Sequence, residues 1–242
     1  MIRTWWFFLV LFLSTVWNGT KALVAGVLGV RQVTGGVYDL AARRWARSAM
    51  WAAGVRFSVH GMEHVPRDRP VVFASNHQSW FDIFLLLAAL PGSIRFVAKQ
   101  ELARVPLLGG AMRAAGHIYI DRESRQAAFA AYQAAAATIR SGISAVVFPE
   151  GTRSRTGEMQ PFKKGPFVLA IAAGVPVVPA YCAATFTLMP KGSRRISPHP
   201  IVLMIGPAIP TTGLTYDDRE ELMKQTRRAV DGLRVDASKV VG

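Results

Sequence analysis

The stretch PVVFASNHQSWFDIFLLLAAL, Pro70 to Leu90, decides the reading of this chain. Pro70 to Ala74 is a short apolar run of strand length, and Asp82 opens a second apolar segment long enough for a helix. His77 and Asp82 therefore flank a strand-to-helix turn, five positions apart. Imidazole is the side chain whose ordinary pKa suits proton removal near neutral pH. A carboxylate on its far nitrogen fixes the tautomer and stabilises the imidazolium. No serine or cysteine nucleophile is needed if the hydroxyl to be activated belongs to the substrate. The competing reading of such a pair is a helix-capping turn with no chemistry, so the rest of the chain has to decide.

Two further strand ends deliver charged groups. Ala145 to Phe148 is an apolar run that leads into FPEGTRS, residues 148–154. Gly151 permits close backbone approach, Thr152 offers a hydroxyl, and Arg153 carries a guanidinium fork that matches a phosphate. Lys163 and Lys164 follow within a dozen residues. GHIYIDR, residues 116–122, alternates like a short strand and again ends in an acid and an arginine. In open α/β sheets ligands sit at the carboxyl ends of strands, which is where these groups fall.

NHQSWFD, GHIYIDR, FPEGTRS and VPVVP (Val175 to Pro179) stand in the order and spacing of four sequence blocks, and together they resemble the lysophosphatidate (1-acylglycerol-3-phosphate) acyltransferases of the glycerolipid acyltransferase superfamily. The likeness runs from about Gly61 to Pro210 and includes a lead-in, Gly61 to Pro66, and a lysine-bearing segment, Ala98 to Leu102. It implies His77 as general base and Asp82 as its orienting partner. It implies that Lys99, Gly116, Arg122, Glu150, Gly151, Thr152 and Arg153 bind the acyl acceptor, the arginines on its phosphate. Pro176 and Pro179 would serve the acyl donor or the structure. Tyr119 stands where phenylalanine is usual, an aromatic exchange. The implied reaction moves a fatty acyl group from acyl-CoA or acyl carrier protein to the free sn-2 hydroxyl of lysophosphatidate. Lyso-ornithine lipid and glycerol 3-phosphate are alternative acceptors, and a non-catalytic membrane-binding module is the rival outside enzymology. A thioester is already activated, so the expectation is no cofactor and no metal.

One segment has the look of a metal motif: His60, Glu63 and His64 match HxxEH. That motif needs a helix, whereas Val55 to Val59 alternates like a strand, Gly61 interrupts and Pro66 follows, so a strand and turn are expected.

Composition gives the setting. Of the 242 residues 51% are hydrophobic, and mean hydropathy is +0.24. The apolar excess lies at the front, where Lys21 is the only charge between Trp5 and Val30. Three readings are open: a cleaved signal peptide, a single membrane span, or two interfacial helices broken near Asn18 to Thr20 with tryptophans at headgroup depth. The net charge is +14, and Arg31, Arg43, Arg44, Arg47 and Arg56 follow the apolar segment against a single acid, Asp39. This positive-inside pattern puts the catalytic part on the cytoplasmic face of the inner membrane, against anionic lipids. A nucleic-acid partner is not expected, because the basic residues are not interleaved with stacking aromatics. The basic run Lys191 to Arg195 reads as a surface patch. Cys182, the only cysteine, excludes an intramolecular disulfide and reads as a buried thiol.

The expected architecture is α/β: a single catalytic domain, residues 54–242, with a mixed β-sheet flanked by helices, preceded by an N-terminal membrane-anchoring helical segment, residues 1–53. Strands are expected near 55–60, 70–75, 94–98, 117–120, 144–148, 176–184 and 201–205. Helices are expected over about 33–53 and over 124–140, with a covering helix over 217–233 and a frayed tail beyond it.

Overall fold

The computed structural model describes residues 2–121 and 125–241. In chain order the strands are β1 (Phe57–His60), β2 (Val72–Ser75), β3 (Ile94–Lys99), β4 (Ile118–Ile120), β5 (Ser144–Val147), β6 (Val177–Ala183) and β7 (Ile201–Ile205). The helices are α1 (Ile2–Val27), α2 (Val37–Ala53), α3 (Phe81–Ala89), α4 (Leu108–Ala114), α5 (Arg125–Arg140), α6 (Gly165–Ala173), α7 (Thr185–Leu188) and α8 (Arg219–Val241). The strands form one seven-stranded sheet in the order β1-β7-β6-β2-β5-β3-β4. Every neighbouring pair is parallel except β6 with β7, which makes the sheet mixed, as the sequence suggests.

Side chains alternate across this sheet and build a core on each face. Phe73, Val146, Val178, Ala180 and Cys182 face a core shared with α1, α2 and α3. Val72, Ala74, Ala145, Val147 and Val177 face the other, shared with α5, α6 and α8. Both faces are covered, which is why the central strands read as unbroken apolar runs. Pro179 is tolerated in a central strand because its missing N–H falls where the pairing of β6 slips by one residue, between Ala180↔Ile205 and Val177↔Ile209.

Of the three readings of the N-terminal segment, the pair of helices broken near Asn18 is the one that the structure does not follow. No break occurs near Asn18 to Thr20; α1 is continuous. Asn18 is buried and donates to Ser14 O (3.0 Å). Trp45 Nε1 of α2 donates to Thr15 Oγ1 (2.8 Å), and Ser48 Oγ to Ser14 Oγ (2.7 Å). Asn18 thus bonds back within α1, and Ser14 and Thr15, one turn earlier, make the polar seam with α2. Phe7 is fully buried against Phe81 and Phe84 of α3, with the Phe81 ring stacked at 5.5 Å. Segments 1–53 and 54–242 consequently share one core across Gly54, which caps α2 at φ 70°. Asp39, the lone acid of the basic stretch, is buried and pairs with the equally buried Arg95 of β3 at 2.7 Å.

The carboxyl-terminal tail also differs, since α8 runs on to Val241 instead of fraying after Leu233. Val230 and Ala237 are buried in the core and hold the added turns. At the HxxEH segment, His60 ends β1, Met62–His64 is a single 3₁₀ turn, and His64 Nδ1 donates to Ile205 O at 2.9 Å. The helix that motif requires is absent there.

Candidate functional site

The parallel strands β2, β5, β3 and β4 bring their carboxyl ends to one edge, where the blocks read from sequence converge. Asn76 leaves β2 fully buried and ties it to β6: its Nδ2 donates to Cys182 O (3.1 Å) and its Oδ1 accepts from Cys182 N (2.7 Å). His77 comes next. Its Nδ1 lies 2.8 Å from Asp82 Oδ2, which also accepts the backbone N–H groups of Gln78 (2.7 Å) and Ser79 (2.8 Å). Asp82 is fully buried in the first turn of α3, where the helix dipole favours its negative charge. A carboxylate oxygen that already accepts two amides can face only a donor, so His77 carries its proton on Nδ1. Nε2 is left with a free lone pair and no hydrogen bond among the described residues. The imidazole stacks on Phe148 with centroids 3.8 Å apart and planes within 10°.

The loop after β5 grips the backbone of His77 from both sides. Glu150 Oε1 accepts from His77 N (2.7 Å), Glu150 Oε2 accepts from Gln160 N (2.9 Å), and Ser154 N donates to His77 O (2.8 Å). Glu150 is buried, and desolvation pushes its carboxyl up to about 7. It faces inward, with both oxygens engaged by backbone, and so holds the histidine loop. Gly151 has φ 76°, and a side chain there would press on Lys163. The Arg153 guanidinium lies over the Trp80 ring, 5.6 Å from its centroid. Thr152 Oγ1 accepts from Lys191 Nζ (2.9 Å). Beside Phe148 and Gly151 a cavity of about 640 Å³ opens between the sheet and helices α5 and α6, with Val97, Ile120 and Tyr132 in its wall and Lys163 at its rim.

Other expected site residues are placed differently. Lys99 does end β3 on this edge, paired with Glu101 at 3.0 Å. Gly116 does not reach it. It precedes β4 at the sheet's opposite edge, in the same register as Arg95, and packs against Gln32 at φ 83°. At about 3.3 Å per residue, the strand length separating it from the level of His77 is roughly 16 Å. Its positive φ turns the chain into β4. Pro176 lies at that same far edge, where its carbonyl accepts from Val72 N (3.0 Å), and Pro179 is inside the sheet opposite Ala74. Arg122 lies outside the described residues. His117 of the second block is half-buried and accepts from Phe96 N at Nδ1 (3.0 Å); desolvation, then the nearby Arg95, lowers it to about 3, so it is neutral. Among the described residues no group of three metal-ligating side chains converges.

Sequence reasoning missed Phe148 as the stacking partner of His77, although its place at the head of the third block is a usable signal. It also read Lys191 as part of a surface patch. No local pattern announces that contact, because 38 positions separate Lys191 from Arg153, to whose carbonyl it also donates.

The acyltransferase family model matches residues 56–183. Human 1-acyl-sn-glycerol-3-phosphate acyltransferase alpha is 37% identical over 178 residues, 73% of this chain and 63% of that protein. The chloroplastic 1-acyl-sn-glycerol-3-phosphate acyltransferase BAT2 of Brassica napus is 36% identical over 199 residues, 76% of this chain and 58% of that protein. The crystal structure of the 1-acyl-sn-glycerophosphate (LPA) acyltransferase PlsC from Thermotoga maritima superposes with a TM-score of 0.78 at 27% identity, covering 96% of this chain and 95% of that one. The matched region spans about three fifths of the length of the human and Brassica relatives.

Proposed function

This chain belongs to the acyltransferase family, and from that premise we propose that it is an O-acyltransferase moving a fatty acyl group from acyl-CoA or acyl carrier protein to the sn-2 hydroxyl of lysophosphatidate, giving phosphatidate. The observation that carries this reading is the buried Asp82 carboxylate holding His77 Nδ1 and leaving Nε2 unbonded at the strand edge. His77 Nε2 removes the proton of the acceptor hydroxyl, and the oxygen attacks the thioester carbonyl. The tetrahedral intermediate collapses with loss of the thiolate, which takes the proton back from His77 as free thiol. Asp82 offsets the imidazolium charge while the intermediate exists. Phe148 and the Glu150 grip fix the ring and its backbone, so little reorganisation remains at the moment of transfer.

The cations favour a phosphate-bearing acceptor. Arg153 makes no ion pair among the described residues, and its fork suits a phosphomonoester. The cavity beside Phe148 offers Val97, Ile120 and Val147 to a fatty chain and Lys163, Lys164 and Arg219 to an anionic group. Membrane attachment through α1 belongs to the same proposal. That helix is long and apolar enough to cross a bilayer, but its inner face is engaged by α2 and α3. Trp5, Phe12 and Trp17, exposed by 75%, 64% and 65%, form an outward apolar stripe suited to lying in the interface. The basic residues after α1 favour the cytoplasmic leaflet of the inner membrane.

The test is acyl transfer from labelled acyl-CoA, and in parallel from acyl carrier protein, to lysophosphatidate, glycerol 3-phosphate, lyso-ornithine lipid and lysophosphatidylcholine, with wild type and His77→Ala. Transfer to lysophosphatidate that disappears in the variant is the expected result. Preference for another acceptor replaces the substrate, and turnover indifferent to His77 ends the mechanism.

A further inference from the structure

Lys191 stands outside every sequence block, in the loop after α7, yet it is built into the site. Its Nζ donates to Thr152 Oγ1 at 2.9 Å and to Arg153 O at 3.1 Å. Its loop is fixed from three directions. Ser79, in the histidine turn, donates from Oγ to Met189 O at 2.8 Å. Ser193 N closes a turn on Pro190 O at 3.0 Å, with Gly192 at φ 89°. Ile196 N donates to Thr4 Oγ1, near the start of α1, at 3.3 Å. The loop therefore bridges the catalytic turn and the first turn of the helix whose outer face is apolar.

The charge around Lys191 is one-sided. Arg153 and Arg155 are close enough to lower the Lys191 ammonium, after partial desolvation, by repulsion. No carboxylate pairs with any of the three among the described residues. Lys191 is held beside these like charges by its two hydrogen bonds, and an anion placed among them relieves the repulsion. Lys191 spends two of its three N–H donors on Thr152 and Arg153, and one is left for a ligand.

Given the lysophosphatidate reading above, on which this rests, we infer that Lys191 completes, with Thr152, Arg153 and Arg155, the site for the acceptor's phosphate headgroup, and that it sets the preference for a phosphomonoester over zwitterionic headgroups. The link of its loop to α1 favours a headgroup at the lipid surface over the phosphates of a soluble donor. A dianionic phosphomonoester matches several cations; a phosphocholine does not.

The test uses the full-length protein in mixed micelles, with Lys191→Met, Lys191→Arg and, as a control in the same loop, Arg194→Ala. For Lys191→Met the KM for lysophosphatidate is expected to rise on the order of tenfold, the usual size for a lost charge-assisted hydrogen bond. The expected kcat stays within about twofold. Lys191→Arg recovers most of the loss, and Arg194→Ala and the KM for acyl-CoA are unchanged. A rise confined to acyl-CoA reassigns the bound phosphate to the donor and overturns the inference, as does an unchanged KM for both substrates. Thermal stabilisation by lysophosphatidate relative to lysophosphatidylcholine is measured alongside, without turnover. If wild type transfers no acyl group to lysophosphatidate yet is stabilised by it in a Lys191-dependent way, the reaction assignment fails while the phosphate site stands.

Discussion

Replacing Asp82 by asparagine separates the charge of this residue from its shape. The two backbone amides of Gln78 and Ser79 converge on Asp82 Oδ2, so in Asp82→Asn they select the amide oxygen for that position and leave the amide nitrogen at the other. His77 Nδ1 keeps its acceptor, the tautomer is preserved, and what disappears is the negative charge. The Nδ1 to Oδ2 distance of 2.8 Å puts the centres of imidazolium and carboxylate about 4 Å apart, which at an effective dielectric of about 20 corresponds to about 4 kcal/mol. That stabilisation is realised only when His77 has taken the substrate's proton. It therefore falls on kcat, as a loss of about 10³-fold, with little change in KM. The assay is initial-rate kinetics over acceptor concentration, with a thermal melt to show that α3 and the sheet remain assembled. A folded variant whose kcat stays within tenfold of wild type would refute the assignment of Asp82 as the group that stabilises the imidazolium.

Three other variants probe different parts of the argument. Glu150 is raised from 4.5 to about 7, so the native state holds its proton more tightly than the unfolded chain does. Its stabilising contribution is complete below about pH 4.5 and is lost as pH rises through about 7, a swing of at most roughly 3 kcal/mol. The melting temperature of wild type should accordingly fall over that window relative to Glu150→Gln, and a difference independent of pH would show that Glu150 does not titrate there. Gly116→Ala forces φ 83° on an L residue and pushes on Gln32; it should cost about 1–2 kcal/mol of stability yet leave the acceptor KM alone, whereas a selective rise in KM would return Gly116 to the acceptor site. Changing Trp5, Phe12 and Trp17 together to serine should abolish sedimentation with liposomes at an unchanged melting temperature. Full retention on liposomes would move anchoring to the basic surface. Deleting residues 1–30 is a poorer experiment, because Phe7 belongs to the core under α3.

The sequence by itself determined the α/β class, the strand positions to within two or so residues, and the His77–Asp82 pair. All three depend on short-range facts: apolar run length, alternation, and the fixed reach of a five-residue separation across a strand-to-helix turn. Tertiary structure decided the rest. Asn18 looks like a helix breaker, but its amide donates to Ser14 one turn earlier, and Ser14 in turn accepts from Ser48 of α2. Gly116 and Pro176 stand near the starts of their blocks, and a strand sends the start of a block to the far edge of the sheet. Glu150 faces inward because the loop after β5 crosses directly behind His77. Phe148, Ser79 and Lys191 acquire their contacts only when strands distant in sequence become neighbours, and no local pattern encodes which strand lies beside which. Periodicity along a chain records which face of an element is buried, whereas the partner across that face is fixed by the order in which the sheet assembles.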